Sequence, residues 1–480
     1  MRIVLRFLVT LAAALGVACS SGNGPTAATS TTPDPPAGPR STAAGPCMSA
    51  FSLEVSSGDL VPAFNPKIHD YELGSFTTLQ PVHVVVHGAN ASIDGQVVTA
   101  EKPFPVSVEQ ITPASTLSIN LCGSTYVVHL LPADFPTYTV SADHPVPGHV
   151  LVAPFSWQQI TLPNFLMILS ELGDVLYYRR MGASIFDFKQ HRLGNGATRY
   201  SYISSNVVTV MDETFRPIAQ HLVQATANHP AYAADLHDFV MFDDEHFIVT
   251  AYVDKIVGNL PAELPHPASG ARVQAGFVQE VQAGQVIFEW DSTDHPELYA
   301  LSTEGNTFST IASSADYAHL NAVIVDPSDQ NLILSFRHLD AVLKVRRTDG
   351  AIMWRLGGPN DSFGTTPEQK TSHQHFPVIL PDGRLQIFDN GNAKLATRVV
   401  TYRLDEEAFT VDSFDAFPVG AYTWAMGSVQ DVGASSLFLG LGALYQVGPD
   451  VVEVDRATGN RTFELTFDEP YETYRAYKVP

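Results

Sequence analysis

Cations, cysteines and long apolar runs are what this chain has least of. Lys and Arg together number 27 against 50 Asp and Glu, a formal net charge of −23 in 480 residues. That balance argues against nucleic acid or an anionic membrane surface as partner, and an anionic substrate would need a local positive pocket against a repulsive global field. Beyond the N-terminus no run approaches the roughly 18 apolar residues of a membrane-spanning helix, so any membrane attachment is through the N-terminus alone. Only three cysteines are present. What the chain does have is 45% hydrophobic residues, enough for a large core and more than one domain, and too many for a disordered protein.

The opening residues read as a targeting segment. Arg2 and Arg6 precede the apolar run Leu8 to Val17, and Gly16-Val17-Ala18-Cys19 resembles a bacterial lipoprotein cleavage site, with Gly16 standing where leucine is commonest. Residues 1–18 are then a signal peptide and Cys19 the lipidated residue; an ordinary signal peptide with a nearby cut is the alternative. Residues 20–46 are Ser, Thr, Pro, Gly and Ala, a linker that cannot order itself. The expected location is extracytoplasmic, lipid-anchored, on the periplasmic side or the outer cell surface. There Cys47 and Cys122, which bracket one segment, read as a disulfide, with a free buried pair as the plainer alternative.

Between those cysteines short apolar runs alternate, as in Val82-His83-Val84-Val85-Val86 and Tyr126-Val127-Val128-His129-Leu130, with turns such as Asp94-Gly95 between them. Residues 47–135 are thus expected to form a small all-β domain, a sandwich. Leu60-Val61-Pro62-Ala63-Phe64-Asn65-Pro66 followed by Tyr71 resembles the opening of cadherin-like β-sandwich domains, which implies a structural or docking role.

From 138 to 480 a turn followed by an apolar strand recurs, for example at Gly173-Asp174-Val175-Leu176-Tyr177, Gly284-Gln285-Val286-Ile287-Phe288, Gly350-Ala351-Ile352-Met353-Trp354 and Gly459-Asn460-Arg461-Thr462-Phe463. About six such units imply a six-bladed β-propeller and an all-β protein. Trp290 and Trp354, at matching places in two units, read as core or inter-blade packing.

Several hairpins ahead of these turns share a register. His237 leads one, His319 with Asn321 leads a second that returns to Arg337, and Gln374-His375 leads a third that returns to Asp389 and Asn390. In an antiparallel hairpin the start of the first strand lies beside the end of the second. If these are innermost strands, His237, His319, Asn321, Arg337 and His375 ring one axial opening. Any one histidine alone is more readily structural; three in register with an arginine point to a site for an anionic group. His69, His83, His129, His191 and His266 show no such register.

Leu236-His237-Asp238-Phe239, His319-Leu320-Asn321, Ser335-Phe336-Arg337, Trp354-Arg355-Leu356-Gly357-Gly358, Gln374-His375, Phe388-Asp389-Asn390-Gly391 and Tyr474-Arg475-Ala476-Tyr477 together resemble the ordered motifs of bacterial arylsulfate sulfotransferases over most of residues 140–480. That resemblance implies transfer of a sulfuryl group from a phenolic sulfate donor to a phenolic acceptor, without a nucleotide sulfate donor. By position, His375 becomes sulfated, His237, His319 and Arg337 act with it, and Asn321 binds substrate.

The residue types suit that chemistry. A neutral imidazole is a competent nucleophile near pH 7, and a covalent intermediate splits one transfer into two easier ones. Arg337 would clamp the charge that develops on the sulfuryl oxygens, and His237 or His319 would carry the proton, which of the two being left open. No cofactor and no metal are expected. Three histidines also suggest zinc in a hydrolase or lyase, but Arg337 in the same ring would repel a cation. A non-catalytic cell-surface binding propeller is the other alternative. The expected partners are the two small aryl molecules, with no nucleic acid, and pairing into a homodimer is left open.

Overall fold

Period-2 alternation becomes a half-buried strand. In Val82–His87 the side chains of Val82, Val84 and Val86 are buried while His83, Val85 and His87 are partly open to solvent. The computed structural model describes residues 52–480 except 57, 58, 109, 306 and 310. The signal peptide, Cys19, the linker and Cys47 lie outside the described residues.

The N-terminal part is the expected sandwich. One sheet pairs Ser52–Val55, Val82–His87 and Phe104–Val106; the other runs Leu60–Val61, Asp70–Leu73, Ser124–His129, Thr116–Leu121, Ala91–Ile93, Gln96–Val98. The motif that opens it is held by its own tyrosine: Tyr71 donates to the Asn65 carbonyl at 2.6 Å, receives the Asn65 N–H at 3.0 Å and stacks on Phe64. Cys122 lies in the turn between Thr116–Leu121 and Ser124–His129.

Six blades follow among the described residues, four of them four-stranded sheets and two extended to five strands, and the ring is closed by segments far apart in the sequence. The C-terminal strand Glu472–Val479 is the innermost strand of blade 1, pairing with His149–Phe155, while Tyr138–Ala142 pairs with Arg461–Phe467 as an added outer strand of blade 6. Blades 2 to 5 are each four consecutive strands, starting at Ile185–Arg192, Phe239–Asp243, Leu320–Val325 and His375–Ile379. Those first strands, with Ser428–Val432 of blade 6 and Glu472–Val479 of blade 1, are the innermost strands around the axis. The chain is therefore an all-β protein with a six-bladed propeller preceded by a small β-sandwich.

The two parts are fused more closely than the sequence suggests. Ser75–Thr77, from within the sandwich stretch, pairs antiparallel with the edge of blade 1 at Tyr177–Arg179, and a single hydrophobic core runs from Val84 and Tyr126 through Phe135 to Phe165 and Tyr178. Tyr178 donates to the Leu130 carbonyl at 2.6 Å. An outer strand of a blade presents unpaired backbone groups, and this short strand covers them. The described residues all fall in one compact unit, Ser49–Pro480. Trp290 bridges blades through Nε1 to the Gly350 carbonyl at 3.1 Å, and Trp354 packs edge-on against Phe363, so both are packing residues.

Candidate active site

Hairpin register sets where the expected site residues stand. His237, His319 and His375 stand at or just before the starts of the innermost strands of blades 3, 4 and 5. Arg337, one residue past the second strand of blade 4, returns beside its leading histidine and donates its backbone N–H to the His319 carbonyl at 2.9 Å. The inner strands of blades 2, 4 and 5 each slip register near this end, between Phe186 and Lys189, Leu320 and Ala322, and His375 and Val378. Asp187 and Phe376 inside two of these bulges, and His319 just ahead of the third, have φ of about +50°. A bulge re-aims the side chains around it.

The rings converge. His237 and His319 lie 5.1 Å apart between centroids, each 5.5 Å from Tyr252. Burial first, then the charge of Arg337 and those of His237 and His319, hold the His375 pKa well below the usual imidazole range. All four side chains are therefore close enough to act on one another.

The three histidines are not backed alike. His237 Nδ1 faces both oxygens of buried Asp235, at 2.8 and 3.0 Å, and His319 Nδ1 lies 2.5 Å from Asp316. His375 Nδ1 instead donates to the Asn390 side-chain carbonyl at 2.7 Å, with the His373 carbonyl at 3.0 Å. The Asn390 amide cannot be turned over, because its NH2 faces the carbonyls of Thr423 and Met426, which only accept, at 3.2 and 3.0 Å, and the Thr423 hydroxyl at 3.0 Å. Both neighbours of His375 Nδ1 are acceptors, so the proton sits on Nδ1 and Nε2 carries a lone pair. Among the described residues the one donor that reaches it is the Met426 N–H, at a long 3.3 Å. Gly391, next to Asn390, has φ +66° and lies against the Ala396 carbonyl, where any Cβ would collide.

Asn321 links blades 4 and 5. It is fully buried, and its amide donates to the Gln374 carbonyl at 2.8 Å, tying blade 4 to the residue before His375. Gln374 in turn donates to Ser335, Phe336 and Ala341 on blade 4 at 3.0 to 3.2 Å. In this arrangement both side chains set the position of His375.

Several side chains packed at this mouth escaped the sequence reading. Asp235 and Asp316 precede their histidines by two and three residues, a spacing that could have been noticed. His338 and His373 could not, because they show no register with the other histidines; His338 sits against His319 at 4.5 Å and contacts Arg337, and His373 pairs with Glu304. The motif Tyr474-Arg475-Ala476-Tyr477 also acquires a meaning. Arg475 meets Asp187 at 2.9 Å and Asp238 at 3.4 Å, Lys189 meets the same two carboxylates at 2.6 and 2.7 Å, and Tyr477 donates to Asp187 at 2.6 Å. This buried cluster balances two cations with two anions beside His237.

Asp316, His319 and His338 bring one ligand atom each within 4.8 Å of one another. The set does not fit a metal. His338 Nδ1 is used on the Asp316 backbone carbonyl at 2.5 Å, and its Nε2 accepts from the Arg337 guanidinium at 2.8 Å, a cation already in place.

A propeller whose axial mouth gathers one buried neutral imidazole, two carboxylate-backed imidazoles and a guanidinium offers a place suited to an anionic group. Residues 195–478 match the family described as arylsulfotransferase (ASST), more than half of the chain, and the protein belongs to that family of sulfotransferase enzymes. No curated protein matches the sequence. Among solved structures it is similar to a protein of unknown function from Bacteroides caccae, at 12% identity and TM-score 0.38 over 69% of this chain and 99% of that one. Virginiamycin B lyase from Staphylococcus aureus gives 10% and 0.33 over 87% and 99%. The Cps50 (Swd1) β-propeller domain of Myceliophteria thermophila gives 12% and 0.35 over 70% and 91%. These likenesses carry no functional argument.

Proposed function

We propose that the protein moves a sulfuryl group from an aryl sulfate to a phenol through a sulfohistidine at His375, without a nucleotide donor. The lone pair of His375 Nε2 attacks sulfur, an N–S bond forms, and the bond from sulfur to the aryl oxygen breaks, releasing the phenolate, which takes a proton. A second phenol then attacks sulfur, the N–S bond breaks, and the phenol proton passes to a base. The observation that carries this reading is the contrast behind Nδ1. An amide on His375 keeps a neutral nucleophile, whereas carboxylates on His237 and His319 stabilise imidazolium when it forms, which suits proton carriage and sulfuryl binding. Arg337 supplies fixed positive charge to the developing oxyanions, and Arg337→Ala is expected to cost on the order of 100-fold in turnover.

Intact-mass analysis after brief exposure to a chromogenic aryl sulfate tests the covalent step. A gain of about 80 daltons, one sulfuryl group, should appear in the wild type, be absent in His375→Ala and discharge when a phenol is added. Phenol release without any adduct would remove the sulfohistidine from the mechanism. To the same reading belong an extracytoplasmic location, lipidation of Cys19 and a Cys47–Cys122 disulfide. Mass analysis of tryptic peptides from membrane-associated protein checks all three.

A further inference from the structure

Arg337 does not face an empty cleft. Its NH1 donates to Glu304 Oε2 at 3.2 Å and to His338 Nε2 at 2.8 Å. Glu304 comes from the segment between the short helix Pro296–Leu301 and the strand Leu320–Val325, and its other oxygen is bound to His373 Nε2. The backbone delivers it there. Thr303 donates through N–H and hydroxyl to the His338 carbonyl at 2.7 and 2.9 Å, and Gly305, with φ +61°, lies against the Asp316 carbonyl where a Cβ would collide.

The two grips on this carboxylate differ in kind. A guanidinium has no acceptor, so His338 Nε2 must accept from Arg337, while its Nδ1–H donates to the Asp316 carbonyl. No proton then lies between His338 Nε2 and Glu304 Oε2, which face each other at 3.2 Å. Burial, followed by the charge of His319, pushes His338 down to about 4 and agrees with that neutral form. Arg337 NH1 is thus shared between two acceptors, and its bond to Glu304 is the longer. His373 holds the other oxygen, with Asp340 at 3.1 Å from its Nδ1. The Glu304 side chain is 47% exposed, so water can take over the oxygen that Arg337 gives up.

We propose that Glu304 is an internal competitor for the sulfuryl group. Its carboxylate neutralises Arg337 in the empty enzyme, stays hinged on His373, and is displaced from the guanidinium when a sulfate ester binds. The inference rests on the sulfuryl reading of Arg337 given above. It makes Glu304 a determinant of donor affinity, because the apparent dissociation constant is the intrinsic one divided by the fraction of molecules with Arg337 free.

The test is calorimetric titration of inorganic sulfate into the wild type and Glu304→Gln, with initial rates on a chromogenic aryl sulfate in parallel. Sulfate should bind roughly two- to fivefold tighter to Glu304→Gln, the donor KM should fall by a similar factor, and neither gain should appear in an Arg337→Ala background. Glu304→Asp, too short to span His373 and Arg337 together, should tighten sulfate in the same direction and decides the matter if the glutamine variant does not fold. Unchanged or weaker sulfate binding in these variants overturns the proposal and leaves Glu304 as an orienting partner of Arg337. Tighter binding without any sulfuryl transfer keeps the competitor and rejects the transferase mechanism; transfer with unchanged binding does the reverse.

Discussion

Replacing Asn390 by Asp changes one atom type at the point where His375 takes its protonation state. The wild-type amide accepts from His375 Nδ1 and spends its NH2 on three acceptors at 3.0 to 3.2 Å. A carboxylate keeps the first contact and can accept from the Thr423 hydroxyl, but it loses the bonds to the two carbonyls, at about 1 kcal/mol each, so the variant should be destabilised by about 2 kcal/mol. The fully buried anion also favours a charged imidazole beside it and should raise the His375 pKa from its depressed value. The sign follows: a neutral His375 is the nucleophile, so raising its pKa removes nucleophile as pH falls. Single-turnover release of the aryl leaving group, followed from about pH 5 to about pH 9, reads this directly. The wild-type rate should show no loss from His375 near the ordinary imidazole pKa, whereas Asn390→Asp should gain rate as pH rises. Asn390→Ala should be about tenfold slower at every pH, from the lost hydrogen bond, with no added slope. Profiles for Asn390→Asp and wild type that differ only by a constant factor would refute the idea that the amide keeps His375 neutral.

Three further outcomes follow from named contacts. Asp316→Asn keeps the shape but removes the charge behind His319, and loss of that charge-assisted bond should slow turnover by about 10- to 100-fold; turnover within twofold of wild type would separate Asp316 from the reaction. Asp187→Asn leaves Arg475 and Lys189 short of a buried counter-charge and should cost about 3–5 kcal/mol in urea unfolding, against a change under 1 kcal/mol if the cluster is solvated. Acid should destabilise the fold between pH 6.5 and about 4, because burial keeps His191, His221, His338 and His375 neutral when their unfolded counterparts take up protons. His191 is pushed down to about 3 and His338 to about 4, so each contributes a loss of about 1.4 kcal/mol per pH unit below 6.5. Burial raises the carboxyls of Asp389 and Asp450, the latter to about 7, and they act in the opposite sense, but four histidines outweigh two acids. Urea midpoints that do not fall between pH 6.5 and 4 would contradict this.

Alternation and turn chemistry are local, and they survive translation into structure. Val82–His87 buries every second residue as its pattern demands, and the recurring turn-strand units become blades. The hairpin argument placed His237, His319, Arg337 and His375 at one end because side-by-side strand ends follow from antiparallel pairing alone. Pairing between distant segments has no such local mark. Nothing in Ser75-Phe76-Thr77 announces an edge strand for blade 1, and nothing in Glu472–Val479 announces the innermost strand that closes the ring. The same limit applies to the chemistry. That a histidine faces the axis is written in strand register, but whether it is neutral depends on what stands behind Nδ1, and for His375 that is an amide fifteen residues away whose own orientation is set by Thr423 and Met426 in the connection to the next blade. Sequence by itself determined the blades and the ring of donors; tertiary packing decided which imidazole keeps its lone pair and which carboxylate rests on Arg337, because protonation depends on burial and partners drawn from several blades at once.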